Sequence, residues 1–419
     1  MALLDRILTA ENRRFLSFGA SSVTMTVVNM VGGVLALRWI PPELMGAWQA
    51  VILAQAYCDF CKLGVLNGMN RELPFRIGQN DGEGALASVA TTYAWLKFGS
   101  LLGFVAYAGI AMANWDKGQE WRIACLAGSA QWVLNYYSSY VQATLRGGDD
   151  FARLSAIQYV SALVSASLFP LVIFLGFDGF CLRAVLQALI MAICLRSVMR
   201  FRPSTGICWH ELRRLLLAGF PLFAASYLFQ LAMNAERWAL LASDNERLLG
   251  LFAPVSAVLS AVLVLPNAAS MYIYPKLSRE LGSHGERERL WDAAWLNTRI
   301  TVGIAIVVAA ASALLSSHMT HAFFPQYAES IPAMQVASVS GIFLAFRPIS
   351  TALPALGAWK WHYAWIVLFV AIKYVLCLLF ICESTDKLLA VALAGTISAA
   401  VSAGVMVWAV FRETKGQRA

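Results

Sequence analysis

The chain has 419 residues, 59% of them hydrophobic and 13% charged, with a mean hydropathy of +0.64. Soluble domains average about 25% charged and roughly 45–50% apolar residues, so a water-soluble globule is excluded and an integral membrane protein is expected. The formal charge of +8 follows from basic residues gathered in connections on one side of a membrane, which leaves nucleic-acid binding without support.

Met1–Arg14 is charged and mixed, with no A-x-A-like site behind a short apolar core. The first apolar segment is therefore expected to stay in the mature protein. A spanning helix needs about 20 mostly apolar residues, and twelve such segments follow in order. The first six are near 15–38, 44–66, 86–112, 121–144, 152–175 and 179–199. The second six are near 212–235, 248–273, 291–316, 330–352, 361–381 and 387–411. These long continuous runs are not the short alternating strands of a transmembrane barrel.

Lys and Arg mark alternate connections. One side receives Arg6, Arg13, Arg14, Arg71, Arg76, Arg146, Arg153, Arg200, Arg202, Arg213 and Arg214 from the first seven segments. Lys276, Arg279, Arg287, Arg289, Lys360, Arg412, Lys415 and Arg418 continue that side, which is expected to be cytoplasmic with both termini. The halves also repeat. Arg38-Trp39 matches Arg237-Trp238, Leu44-Met45-Gly46 matches Leu248-Leu249-Gly250, and Arg71-Glu72-Leu73 matches Arg279-Glu280-Leu281. Gly148 then matches Gly357, and Phe201-Arg202 matches Phe411-Arg412. The expected architecture is all-α, with two pseudo-symmetric six-helix lobes at 1–205 and 206–419. Parallel repeats of this kind hold substrate between the lobes and rock one against the other.

Catalytic and metal constellations are missing from the sequence. There is no G-x-x-x-x-G-K-[ST] loop, H-E-x-x-H or G-x-S-x-G. Cys58-x-x-Cys61 has no second pair, and His318 with His321 makes only two ligands. Gly147-Gly148-Asp149-Asp150 reads as a turn. No cofactor and no metal are expected, and a transporter is expected rather than an enzyme.

Charges within a span usually face a cavity or a partner. Lys97 and Lys373 lie near mid-depth, Arg299 and Arg347 one to two turns from an inner end, and Asp59 is the one comparable acid, three residues before Lys62. Ser226, Gln230, Asn234 and Arg237 share a face of the seventh segment, and Thr26, Asn29 and Gly33 share one on the first. Such stripes line a cavity or hydrogen-bond between helices. Trp132, Asn135, Tyr136, Tyr137 and Tyr140 cluster on the fourth. Rings and amides of that kind suit sugar faces and hydroxyls, and Tyr140 reads as part of an interfacial aromatic belt. Arg71 is an inner-mouth contact or a topology residue.

"WHELRRLLLAGFPLFAASYLFQLAMNAERWAL" (Trp209–Leu240) resembles the start of the second lobe in polysaccharide-type flippases of the multidrug/oligosaccharidyl-lipid/polysaccharide superfamily. "LLGLFAPVSAVLSAVLVLPNAASMYIYPKLSREL" (Leu248–Leu281) resembles their next helix, and Asp59-x-x-x-Leu63-Gly64 before Arg71 resembles the matching part of the first lobe. The resemblance implies a central cleft opening alternately to each side of a bacterial inner membrane. It implies a polyprenyl-diphosphate-linked oligosaccharide as substrate, for O-antigen or exopolysaccharide, with a polymerase and a chain-length regulator as partners. For some members it implies coupling to a proton or sodium gradient, with Asp59 as the acid here. Lys97, Lys373 and Arg347 would hold the diphosphate, and Asn29, Gln230, Asn234, Asn135 and Tyr136 the sugars. Two alternatives stay open: an ion-coupled small-molecule or multidrug antiporter of the same superfamily, and a membrane glycan polymerase.

Overall fold

The computed structural model describes residues 10–199, 206–243, 245–284 and 287–415. Twelve helical stretches follow one another, and among the described residues there is no strand. This is the all-helical, twelve-span layout expected. A chain in hydrocarbon must satisfy its backbone polar groups internally, and helices do so within each segment.

The first half comprises six stretches. They are α1 (Ala10–Ala36), then α2 (Pro42–Cys58) joined through a 3-10 turn (Asp59–Lys62) to α3 (Val65–Gly78), then α4 (Gly82–Ala113), α5 (Gln119–Gly147), α6 (Phe151–Ser167) and α7 (Pro170–Ser197). The second half runs α8 (Trp209–Met233) into α9 (Ala235–Ala242), then α10 (Glu246–His284) and α11 (Arg287–Phe323). A 3-10 turn (Pro325–Ser330) leads to α12 (Ile331–Leu344), a second 3-10 turn (Arg347–Thr351) and α13 (Ala352–Ala355). The chain closes with α14 (Trp359–Glu383) and α15 (Lys387–Lys415). Among the described residues, nine stretches are long and apolar enough to cross a membrane. Of the other three, the second is broken at Asp59–Lys62, α5 is diluted by polar side chains such as Gln131 and Asn135, and α6 has only 17 residues.

Local sequence sets the boundaries. Asp81 caps α4 by accepting the Gly84 N–H at 2.9 Å, Asn245 caps α10 through the Leu248 N–H at 3.1 Å, and Asp386 caps α15 through the Leu389 N–H at 3.0 Å. The fifth and sixth spans divide earlier than the expected 175/179 boundary. Leu168–Phe169 forms the turn, and Pro170 opens α7 at its first position, where a missing N–H costs nothing. The apolar run through Phe174 hides this start. Gly176, at φ 57° and ψ −126°, then interrupts α7.

By packing, the chain forms two compact units. One holds the residues up to Gly32 with Val51–Tyr227; the other holds Gly33–Ala50 with Leu228 onward. The expected boundary at 205/206 marks the sequence repeat, whereas each packed unit takes in a segment from the opposite half. In the first unit, α8 lies so close to α3 that a Cβ on Gly219 would collide with the Gly64 carbonyl oxygen. Gly64 is also left-handed, at φ +85°. Glu211 at the start of α8 accepts Arg76 Nη2 at 2.9 and 2.7 Å and the Ser88 hydroxyl at 2.8 Å. Arg76 also donates to the Gly84 carbonyl, and Arg214 pairs with Glu72 at 2.9 Å. In the second unit, a Cβ on Gly46 would strike the Glu246 carbonyl. Tyr327 donates to the Ile40 carbonyl at 2.9 Å, and Arg247 pairs with Glu43 at 3.1 Å and Glu329 at 2.7 Å.

The repeat survives in topology and varies in detail. Gly357 is left-handed at φ +71°, but in the matching first-half turn that role falls to Asp149 (φ 56°), one residue beyond Gly148. Phe201-Arg202 lies outside the described residues, as do the side chains of Arg279 and Glu280.

The glycine crossing is testable. Gly219→Ala should destabilise the protein by about 1–3 kcal/mol, the range for forcing atoms into a packed site, read as a lower melting temperature after purification. Gly303→Ala, whose added methyl meets open space, should leave that temperature unchanged.

Candidate functional site

The first unit carries a polar cluster where the second span breaks. Leu63 (φ 44°) and Gly64 end the 3-10 turn in left-handed conformations. The broken turn places Asp59 Oδ1 at 2.7 Å from Lys62 Nζ, with both side chains about a quarter exposed. That ammonium lies 5.3 Å from the Tyr136 ring centre and 5.8 Å from that of Trp132, so cation–π attraction adds to the ion pair. Trp132 and Tyr136 are buried, and among the described residues neither Nε1 nor Oη has a hydrogen-bond partner. Both tips abut α4 at its glycines, since a Cβ on Gly103 or Gly99 would meet them. Asp59 is therefore a neutralised acid.

The same unit places the other first-half candidates apart. Tyr136 is buried whereas its neighbour Asn135 is exposed, so the two do not form one pocket. Tyr140 is fully buried and donates to the Val89 carbonyl at 3.4 Å. It is a helix-packing residue, which corrects the aromatic-belt expectation. Asn29 Oδ1 accepts from Ser165 Oγ at 2.8 Å and Gln187 Nε2 at 2.9 Å, so its acceptor is engaged between helices. Arg183 continues this network, donating through Nε and Nη2 to Ser165 at 3.0 and 2.7 Å. It is 6% exposed and has no carboxylate partner among the described residues. Lys97 is exposed, 4.6 Å over the Tyr93 ring, on the helix face of Leu101, itself 62% exposed. Arg71 is exposed on α3.

The second unit changes the reading of Lys373 most. Its ammonium is 1% exposed and lies 2.6 Å from Glu236 Oε1. Lys373 thus offers no free charge to a diphosphate, contrary to the sequence-based expectation. Glu236 was hidden by its neighbour Arg237, which reads as the outer end of a span. The helix in fact resumes as α9 after a break at Asn234, which carries Glu236 inward. Gly395 makes room for the carboxylate, because a Cβ there would strike it. At the break, Asn234 donates to the Gln230 carbonyl at 2.9 Å and accepts from Arg237 Nη1 at 3.0 Å. The polar stripe of the seventh span is therefore largely self-satisfied, with the Gln230 side chain half-buried beside it.

Arg347 opens the 3-10 turn after α12. Its guanidinium carbon lies 4.1 Å above the Phe229 ring centre, and Nη1 reaches Asn267 Oδ1 at 3.4 Å. Among the described residues no carboxylate pairs with it. Arg299 is exposed. No group of three His, Cys, Asp or Glu side chains that could hold a metal ion occurs among the described residues, and His321 Nδ1 lies 2.8 Å from the Ser317 carbonyl of its own helix.

No family model matches the sequence, and no curated protein does. Solved structures do. An inward-facing multidrug resistance MATE family transporter of the MOP superfamily aligns with TM-score 0.76 and 17% identity, over 94% of this chain and 96% of that one. The chain has the MATE transporter fold. An outward-facing member of that family aligns at 0.66 with 16% identity over 98% of each chain. A MATE in complex with MaL6 aligns at 0.68 with 16% identity, again over 98% of each. At these identities the likeness is one of fold, and it includes the twelve-helix, two-lobe plan.

The Glu236–Lys373 pair gives a direct test. Glu236→Gln leaves a buried ammonium without its counter-charge and should cost about 3–5 kcal/mol. Thermal unfolding of the purified variant would read this. Replacing both residues, Glu236→Gln with Lys373→Met, should recover most of the loss, since an uncharged pair carries no desolvation penalty.

Proposed function

We propose that this multi-pass membrane protein moves an anionic, diphosphate-bearing lipid-linked oligosaccharide across the bacterial inner membrane by alternating access. The observation that carries the reading is the charge balance inside the spans. Among the described residues, Asp59 contacts Lys62, Glu211 contacts Arg76 and Glu236 contacts Lys373. Arg183 in one unit and Arg347 in the other lack a carboxylate among the described residues. Desolvating a cation is offset by an opposite charge, so the residual preference is for an anion. A diphosphate supplies that charge, and a lipid tail can remain in the bilayer while the head group crosses. A polymerase and a chain-length regulator are the partners such a flippase would serve. Coupling to a proton or sodium gradient belongs to the same proposal, with Asp59 as its acid when the pair with Lys62 opens.

The second reading is a multidrug antiporter, favoured by structural neighbours that are multidrug resistance transporters. A cationic drug would need an unneutralised acid. The three carboxylates above are each already paired.

Proteoliposomes carrying a labelled lipid-linked oligosaccharide decide between them. The head group should appear on the opposite leaflet, and Arg347→Gln should slow this about tenfold or more, the worth of a hydrogen bond to a charged group. Lys97→Gln, which removes an exposed charge, should have a smaller effect. Uptake of organic cations with no movement of the labelled sugar would establish the antiporter instead.

A further inference from the structure

Arg347 is one corner of a cluster in the second unit built from three separate elements. Phe229 comes from α8, Arg347 from the 3-10 turn after α12, and His362 with Trp365 from α14. The rings are contiguous: Phe229 to Trp365 is 6.2 Å edge-on, and Trp365 to His362 is 6.0 Å edge-on. The Arg347 guanidinium covers Phe229 and lies within electrostatic range of His362.

Three observations here point to anion binding. A guanidinium has five N–H donors, yet among the described residues Arg347 makes one hydrogen bond, long at 3.4 Å, and no ion pair. Trp365 is 3% exposed, and its Nε1 has no acceptor among the described residues. His362 Nδ1 is buried and also has no partner among the described residues. Buried polar atoms are rarely left unpaired, because each costs about 1–3 kcal/mol. Two such atoms near a cation with no carboxylate partner among the described residues make a donor set suited to an anion.

We propose that Arg347, His362 and Trp365 form a phosphate-binding subsite, which takes one phosphoryl group of a phosphate monoester or diphosphate. Arg347 supplies the charge and a planar fork matched to two phosphoryl oxygens. Phe229 holds that fork flat by cation–π contact. Trp365 can act only as a donor and fixes a third oxygen. His362 meets a phosphoryl oxygen through Nδ1–H, or accepts a phosphate O–H in the other tautomer. Among the described residues no carboxylate pairs with Arg347, which favours an anion over a cation as occupant. The proposal deepens the functional reading above by naming residues for the charged end of the substrate, and it rests on that reading only for the identity of the natural ligand.

The test uses the full chain in nanodiscs of neutral phosphatidylcholine, with radiolabelled pyrophosphate in one arm and farnesyl diphosphate in the other. Binding in at least one arm is expected. Both arms positive means the site reads phosphate itself, and farnesyl diphosphate alone means it reads a lipid headgroup. Arg347→Gln should weaken binding tenfold or more, Arg347→Lys should retain part of it, and Trp365→Phe should weaken it severalfold. Where Arg347→Gln does not give folded protein, Trp365→Phe and His362→Gln decide. Binding of neither probe, or wild-type affinity in both of those variants, overturns the subsite. If diphosphate binding depends on Arg347 but no lipid-linked oligosaccharide is moved, the subsite stands and the flippase reading falls.

Discussion

A charge inside a bundle of membrane helices has to be answered from within the protein. Water is absent from the hydrocarbon core, and insertion of a bare Arg, Lys or Asp at a helix centre costs roughly 2.5–3.5 kcal/mol on translocon scales. That requirement sorts the ionisable side chains of this chain into two groups. Lys373 and Glu236 satisfy each other at 2.6 Å with almost no exposure, and Arg76 and Glu211 do the same with Ser88. Arg183 is held by the backbone and hydroxyl of Ser165, and Arg347 by a ring face and one long amide contact. Dipoles and ring faces stabilise a guanidinium without neutralising it. Among the described residues, Arg183 and Arg347 are left with no carboxylate partner.

The same scarcity of partners governs the backbone. An interruption in a spanning helix exposes N–H and C=O groups, and it is tolerated where side chains or neighbouring helices can meet them. The second span breaks at Asp59–Gly64, and at the break Trp95 Nε1 donates to the Cys61 carbonyl at 3.1 Å. Nearby, the Tyr57 carbonyl accepts from Tyr227 at 3.3 Å. The seventh span breaks at Asn234, which spends its own amide on the Gln230 carbonyl. A charged pair lies at or just beyond each interruption: Asp59 with Lys62 in one case, Glu236 with Lys373 in the other.

Periodicity and composition reveal what repeats along the chain, and partnership in space is not periodic. The twelve spans, the absence of strands and the duplication were legible because apolar length and dipeptide order are local properties. The Asp59–Lys62 pair was legible because its members are three residues apart on one turn. Glu236–Lys373 was not, since 136 residues of intervening chain separate an apparent end-of-helix Glu from an apparent mid-membrane Lys. Arg76 read as one more basic residue at an exit, and only Glu211, brought up by α8, makes it buried. Tyr140 has the composition of a belt residue, and its burial depends on the approach of α4 at Val89. Trp365 and His362 carried no signal, because an unpaired N–H can be recognised only once its surroundings are known.

The unneutralised cations also say something about the duplication. At the spacing that relates Gly148 to Gly357, Arg347 falls on Ser138, and Lys373 falls on Val164. At the spacing that relates Arg38 to Arg237, Glu236 falls on Leu37. At that of Phe201 and Phe411, Arg183 falls on Leu393. None of these charges has a charged counterpart in the other half, whereas topology and several turn and helix-end residues do. A two-fold ancestor would place equal charge in both lobes. The present arrangement puts Arg183 in the sixth span of one half and Arg347 in the fourth of the other. The scaffold is thus a repeated object and the electrostatics are not.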